Sequence, residues 1–126
     1  ALEGIIAQRL VRQVCPVCRE EVAVDIALRD RLGRAFSSIE RVHRGKGCSN
    51  CHGSGYKGRV GLYEVLTLDD DLRDRIGSGA SVLEIRKAVR QKGLRGIAHH
   101  SVERVQAGAT SLEEILRVLG PQAGED

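Results

Sequence analysis

Two Cys-x-x-Cys pairs, Cys15-Pro-Val-Cys18 and Cys48-Ser-Asn-Cys51, constrain this chain more than any other feature, and they use all four of its cysteines. A two-residue gap lets both thiolates of a pair face one ion while the backbone between them turns its N–H groups toward the sulfurs. Two such pairs complete a tetrahedral shell of four thiolates. The 29 residues between the pairs exceed the commonest zinc-ribbon spacer, so the fold has to bring two distant hairpins together. On the residues alone, disulfides and redox chemistry remain alternatives. Against them, nothing marks the chain as secreted, reducing compartments keep thiols free, and a redox Cys-x-x-Cys usually occurs once, at a helix start. The spacing therefore points to a structural metal at Cys15, Cys18, Cys48 and Cys51, zinc before a one-iron site. A closed four-thiolate shell has no open position and holds structure without catalysing.

Composition explains why such a cross-link is needed. The chain has 126 residues and three aromatics (Phe36, Tyr56, Tyr63), with no Trp or Met. Its core must come from Leu, Ile, Val and Ala, which bury less area per residue. A structural zinc contributes on the order of 10 kcal/mol at neutral pH. The formal charge of +3 is mild and the basic residues alternate with acidic ones, so a nucleic-acid partner is not indicated. No run of 18 apolar residues occurs, which excludes a helical membrane span of ordinary length. The opening "ALEGIIAQRLVRQV" has no initiator Met, charged leader or cleavage site and is expected to be an internal stretch of a longer protein.

Along the chain, "ALEGIIAQ" has helical character and Arg9 to Val14 alternates like a short strand. Glu20 to Gly33 is expected to be a helix with Val22, Ile26 and Leu32 on one face. A loop follows, with an extended piece at Ile39 to His43. Gly47, Gly53 and Gly55 bracket the second cysteine pair, where tight turns need positive φ. Gly58 to Leu68 reads as a strand. Four helices are then expected: Thr67 to Gly77, capped by Thr67 with Asp70; Ser81 to Gly93, with Ser81 and Glu84 as a capping box; Ile97 to Ala107; and a last one opened by Ser111 and Glu114. Leu112, Ile115, Leu116 and Leu119 give that last helix an apolar face, Gly120-Pro121 stops it, and the remaining tail is expected to fray.

Other candidate groups are read as structural. His43, His52, His99 and His100 are surface residues or neighbours of the sulfur site, since four thiols fill the shell. The acidic "LDDDL" (68–72) suits a helix N-terminus. Arg9, Arg12 and Arg59 are expected to be surface or ion-paired arginines, with approach to a nucleotide as the alternative. No G-x-x-x-x-G-K-[ST], His-Glu-x-x-His or Gly-x-Ser-x-Gly occurs, so the chain offers no P-loop for a triphosphate and no catalytic residues are assigned.

Three stretches in order, "IIAQRLVRQVCPVC", "GCSNCHGSGYKGRVGLYEVL" and "GATSLEEILRV", resemble the C-terminal part of the type II secretion and type IV pilus assembly ATPases, members of the secretion ATPase superfamily of hexameric motors. The resemblance runs from about Leu2 to Leu119. It implies an α+β fold in which short antiparallel strands close a RecA-like sheet, with a tetracysteine zinc-binding insertion and a C-terminal bundle of about four helices. The implied divisions are 1–14 (end of the ATPase core), 15–57 (zinc insertion), 58–66 (returning strand), 67–120 (helical subdomain) and 121–126 (disordered tail). It also implies that ATP and Mg2+ are bound only by the parent protein. The implied partners are the upstream ATPase core, neighbouring subunits of a homohexamer and an inner-membrane platform protein, at the cytoplasmic face of a bacterial inner membrane. The stretch "GLRGIAHHSVERV" departs from the family pattern and leaves the contacts of that helix open.

Two other classes share single features. Cys-x-x-Cys-x-Gly-x-Gly, as in "CSNCHGSG", is the unit of the J-protein chaperone zinc domain, which repeats it four times. Here it occurs once, and "CPVCREE" lacks the glycines. A zinc-ribbon nucleic-acid binder needs a basic, aromatic strand face, for which only Tyr56 and Tyr63 are available.

Overall fold

A computed structural model describes residues 4–92 and 96–125. It is α+β. In order, the elements are β1 (Gly4–Val14), β2 (Arg19–Ala23), α1 (Ile26–Leu32), a 3-10 turn (Arg34–Phe36), β3 (Arg41–Gly45), β4 (Tyr56–Thr67), α2 (Asp70–Gly77), α3 (Val82–Gln91), α4 (Ile97–Gln106), α5 (Leu112–Leu119) and a 3-10 turn (Ala123–Glu125).

β1 and β4 form an antiparallel ladder from Gly4↔Thr67 to Val14↔Tyr56, with an irregularity between Arg12 and Val14. β2 and β3 form a second ladder, Arg19↔Gly45 to Ala23↔Arg41. The chain leaves the first ladder after Val14 and rejoins it at Tyr56. The β2–β3 hairpin and α1 therefore form an excursion whose two ends lie side by side.

Long-range pairing overrides two local expectations. Residues 4–8, read as helical, belong to β1, because β4 offers a continuous partner. Residues 1–3 lie outside the described residues. The helix expected over Glu20 to Gly33 is divided. Arg19–Ala23 is a strand in which exposed and half-buried positions alternate, and cross-strand Arg44–Glu20 and Arg41–Glu21 ion pairs at 2.9 and 3.0 Å flank it. Val22 faces Val42 across that ladder. The helix starts only at Ile26, where Asp25 accepts the Leu28 N–H at 3.3 Å.

Other boundaries shift slightly. β4 begins at Tyr56, two residues before Gly58, and the extended piece near Ile39 to His43 is β3. Asp69, not Thr67, caps α2, accepting the Leu72 N–H at 2.9 Å, while Thr67 is the last residue of β4. Ser81 and Ser111 cap α3 and α5 as their spacing predicts, accepting from Glu84 N at 3.1 Å and Glu114 N at 3.2 Å. The expected stop at Gly93 falls outside the described residues.

The four C-terminal helices do not make one bundle. α4 and α5 cover the inner face of the β1–β4 ladder, burying Val105, Leu112 and Ile115 with Val11, Leu62, Leu32, Phe36 and Ile39. α2 and α3 instead pack on each other around Leu68, Leu72, Ala88 and Val89. Two apolar clusters replace the single one because the broad face of α5 is used up against strands. The tail is not frayed over 121–125 either. Gln122 N–H donates to Arg31 O at 2.7 Å, Glu125 takes the Arg34 N–H at 2.8 Å, and Gly124 lies buried against Phe36.

Beside that apolar contact, α5 meets the ladder through a polar joint. Glu114, 1% exposed, accepts from Arg12 N at 2.8 Å and Arg12 Nη2 at 3.0 Å, and from Arg117 Nε and Nη2 at 2.8 Å each. The Arg117 guanidinium, with Arg12 beside it, outweighs burial and holds the carboxyl down at about 2. A depressed acid stabilises the fold above its unfolded pKa, and that contribution fades as pH falls through the folded value. Glu114→Gln is expected to cost about 2–3 kcal/mol in urea unfolding at neutral pH, since both arginines it leaves behind still reach water. The wild-type chain should lose that same increment between the ordinary value of 4.5 and about 2, and the variant should lack that segment of the acid profile.

Candidate metal centre

The two cysteine pairs sit where the excursion leaves and rejoins the first ladder. Cys15 directly follows β1 and Cys18 directly precedes β2; Cys48 and Cys51 lie in the turns between β3 and β4. The register of the two ladders therefore fixes both pairs, and their four Sγ atoms lie within 4.8 Å of one another. Cys15 Sγ–Cys48 Sγ and Cys18 Sγ–Cys51 Sγ are 3.8 Å apart, and Cys48 Sγ–Cys51 Sγ 3.7 Å. A regular tetrahedron with metal–sulfur bonds of about 2.3 Å has edges of about 3.8 Å. The donor set thus fits a tetrahedral thiolate ion in number, softness and size. The thiols are free of disulfides. Among the described residues no other group of three or more Cys, His, Asp or Glu side chains converges in this way.

The backbone is arranged to serve sulfur anions. Gly47 N–H points at Cys18 Sγ (3.3 Å), while Cys48 N–H (3.3 Å) and Gly55 N–H (3.2 Å) point at Cys51 Sγ. Asn50 Nδ2 lies 3.7 Å from Cys15 Sγ. Burial opposes ionisation of Cys51, yet the N–H groups of Cys48 and Gly55 bring its thiol down to about 6. Burial and the neighbouring sulfurs push Cys18 up to about 11, against the Gly47 N–H. Cys15 is lowered, because hydrogen bonds from its own turn and from Asn50 exceed the effect of burial. A divalent cation at the centre of the four thiols would favour the thiolate at every position.

None of the four histidines belongs to the converging group. His43 lies on β3, its buried Nδ1 without a hydrogen-bond partner and its ring against Gly108. His99 Nε2 is 3.0 Å from Glu103, and His100 Nδ1 accepts the Tyr63 N–H at 2.8 Å. Arg12 is a structural residue, paired with Glu114 and stacked 4.2 Å above the Tyr56 ring; Arg9 and Arg59 are exposed on β1 and β4. The acids of "LDDDL" also have structural duties, Asp69 and Asp71 holding Lys92 at 2.9 and 3.1 Å. Sequence reasoning missed Asn50 and Glu114. For Asn50 the signal was its place inside the second pair. Glu114 read as a plain capping-box acid, and nothing local announced its second role.

Among the described residues no helix is long and apolar enough to cross a membrane. Residues 1–117 match the family described as "Type II/IV secretion system protein". The type IV pilus assembly ATPase PilB of Thermus thermophilus is 41% identical over 118 residues, covering 92% of this chain and 13% of that protein. Type II secretion system protein E of Pseudomonas aeruginosa is 39% identical over 115 residues, 91% of this chain and 23% of that protein. The type IV pilus assembly ATPase TfpB of Acinetobacter baylyi is 34% identical over 120 residues, 94% of this chain and 20% of that protein. The chain spans less than a quarter of the length of each of these relatives.

The second pair depends on close backbone approaches, the tighter of the two at Gly55 and the other at Gly47 against Gly53. Gly55 has φ +82°, and a Cβ there would stand 2.6 Å from Gly45 O; Gly53 has φ +78° but open space around it. Gly53→Ala is expected to cost about 1–2 kcal/mol, the left-handed penalty alone. Gly55→Ala adds a backbone clash and should cost on the order of 3 kcal/mol. Urea midpoints of the two variants measured side by side check the order.

Proposed function

The chain belongs to the type II/IV secretion system protein family, and from that premise we propose that it is the zinc-binding C-terminal portion of a hexameric ATPase that powers type II secretion or type IV pilus assembly. The observation that carries the reading is the convergence of four sulfurs, spaced for a tetrahedral ion, at the mouth of an excursion between two paired strands. Cys15, Cys18, Cys48 and Cys51 would hold the zinc. Gly47, Cys48 and Gly55 N–H groups, with Asn50, orient the sulfurs and share their charge. When bound, the ion supplies charge neutralisation and a cross-link between residues 33 positions apart. All four donors are protein atoms, so the site has no position for a substrate or an activated water.

In this reading β1 and β4 are edge strands of a RecA-like core whose remainder lies in the length of the relatives that the chain does not span. ATP and Mg2+ bind in that remainder. The neighbours of this portion are the core itself, adjacent subunits of a homohexamer and an inner-membrane platform protein on the cytoplasmic side. The names of the relatives, type IV pilus assembly ATPase and type II secretion system protein E, support the motor assignment.

Elemental analysis of protein purified without added metal should find about one zinc per chain, as a closed four-thiolate shell requires. Cys15→Ser with Cys48→Ser should abolish it. An intact fold with no bound metal would overturn the site assignment. The 126-residue chain by itself should release no phosphate from ATP with Mg2+ above the buffer blank, and steady turnover would overturn the division of labour.

A further inference from the structure

The segment Gly108–Ser111, which joins α4 to α5, is held at residues that flank the cysteines. Arg19, next to Cys18, donates from Nη1 to Gly108 O at 3.3 Å. Val14, next to Cys15, donates its N–H to Ala109 O at 2.9 Å. Thr110 Oγ1 donates to Arg12 O at 2.9 Å, on the same stretch of β1. On the other side, Tyr56 Oη lies 2.6 Å from Ser111 Oγ. Gly55, immediately before Tyr56, is tied into the sulfur site twice: its N–H points at Cys51 Sγ at 3.2 Å, and its carbonyl accepts the Cys15 N–H at 2.8 Å.

These contacts converge on one helix start. Ser111 is the N-cap of α5 and accepts the Glu114 N–H. Glu114 in turn grips Arg12, whose guanidinium lies over the Tyr56 ring. Thr110, Ser111 and Glu114 are all 2% exposed or less. Buried polar groups are costly to leave unmatched, so this network has few alternative arrangements. If the cysteine pairs separate, Val14, Arg19 and Tyr56 move with them, and the turn loses partners on both sides together. By contrast α2 and α3 have their own apolar cluster and share none of these bonds.

We infer that metal occupancy of the four-cysteine site is coupled to the folding of α5 through the Gly108–Ser111 turn, so that the state of the metal is read at a C-terminal helix outside the zinc lobe. Coupling between two sites is reciprocal, which means that loosening the turn must weaken the metal by the same factor that metal loss loosens the turn. Tyr56 and Thr110 are positioning residues in this scheme, since neither touches a sulfur.

The inference rests on the zinc reading above, and zinc stoichiometry measured in the same samples separates failure of the one from failure of the other. The experiment is amide hydrogen exchange on the full 126-residue chain, zinc-loaded and after removal of zinc by a chelator under reducing conditions. Amides of 114–116 should exchange roughly 5- to 150-fold faster without zinc, the usual span of inter-site coupling, while Leu72 and Arg73 in α2 keep their protection. Tyr56→Phe, which retains the ring over which Arg12 stacks, should raise exchange at 114–116 with zinc bound and raise the zinc Kd by no more than the factor by which zinc removal speeds that exchange. Zinc bound and removable with α5 unchanged would overturn the coupling. Equal loss of protection in α2 and α5 would also overturn it, because the response would then be global unfolding. A chain that binds no zinc would overturn the metal reading and the inference with it.

Discussion

The meeting of four sulfurs at one point is the constraint on which the architecture depends. Between Val14 and Tyr56 the chain runs through a hairpin, a helix and two knuckles, and within that excursion the buried apolar side chains beside the cysteines are Leu32, Phe36 and Ile39. Even with Val24, Leu28 and Val42 packed partly buried against that cluster, this is a small apolar set to order about 40 residues against their conformational entropy. The two ladders bring the cysteine pairs together, and an ion at their centre would in turn hold the ladders in register. Burial first, and then the neighbouring sulfurs, push the Cys18 thiol up to about 11, and a cation at the centre would favour its thiolate instead.

A second constraint is the buried carboxylate of Glu114. It joins the outer edge of β1, through the Arg12 N–H, to the first turn of α5. A helix covering a two-stranded ladder needs some feature to fix its position along the strand, because apolar contact is not directional. The two bonds from Arg12 to the Glu114 carboxylate provide it, and Arg117, on α5 itself, holds that carboxylate in place. The two constraints adjoin at Arg12, Tyr56 and Ser111, whereas α2 and α3 pack around an apolar cluster of their own.

What could be read from the sequence was local. Each cysteine pair is a four-residue motif, and Ser111 with Leu112 and Ile115 announces α5 within a single turn. What could not be read was set by partners far along the chain. Residues 4–8 look helical until β4 is known to run beside them, and Arg19–Ala23 looks like the start of α1 until Arg41 and Arg44 are placed opposite its acids. The tail was misjudged for the same reason, since Gln122 and Glu125 find their partners at Arg31 and Arg34. Glu114 carries two roles, and capping-box spacing discloses only one of them.

X-ray absorption at the zinc edge, on protein purified without added metal, reads the donor atoms of the ion itself. A single shell of four sulfurs at about 2.3 Å, with no nitrogen or oxygen scatterer, is the expected result. A mixed sulfur and nitrogen shell, or no zinc edge together with a sulfur spectrum of free thiols or disulfides, would contradict it.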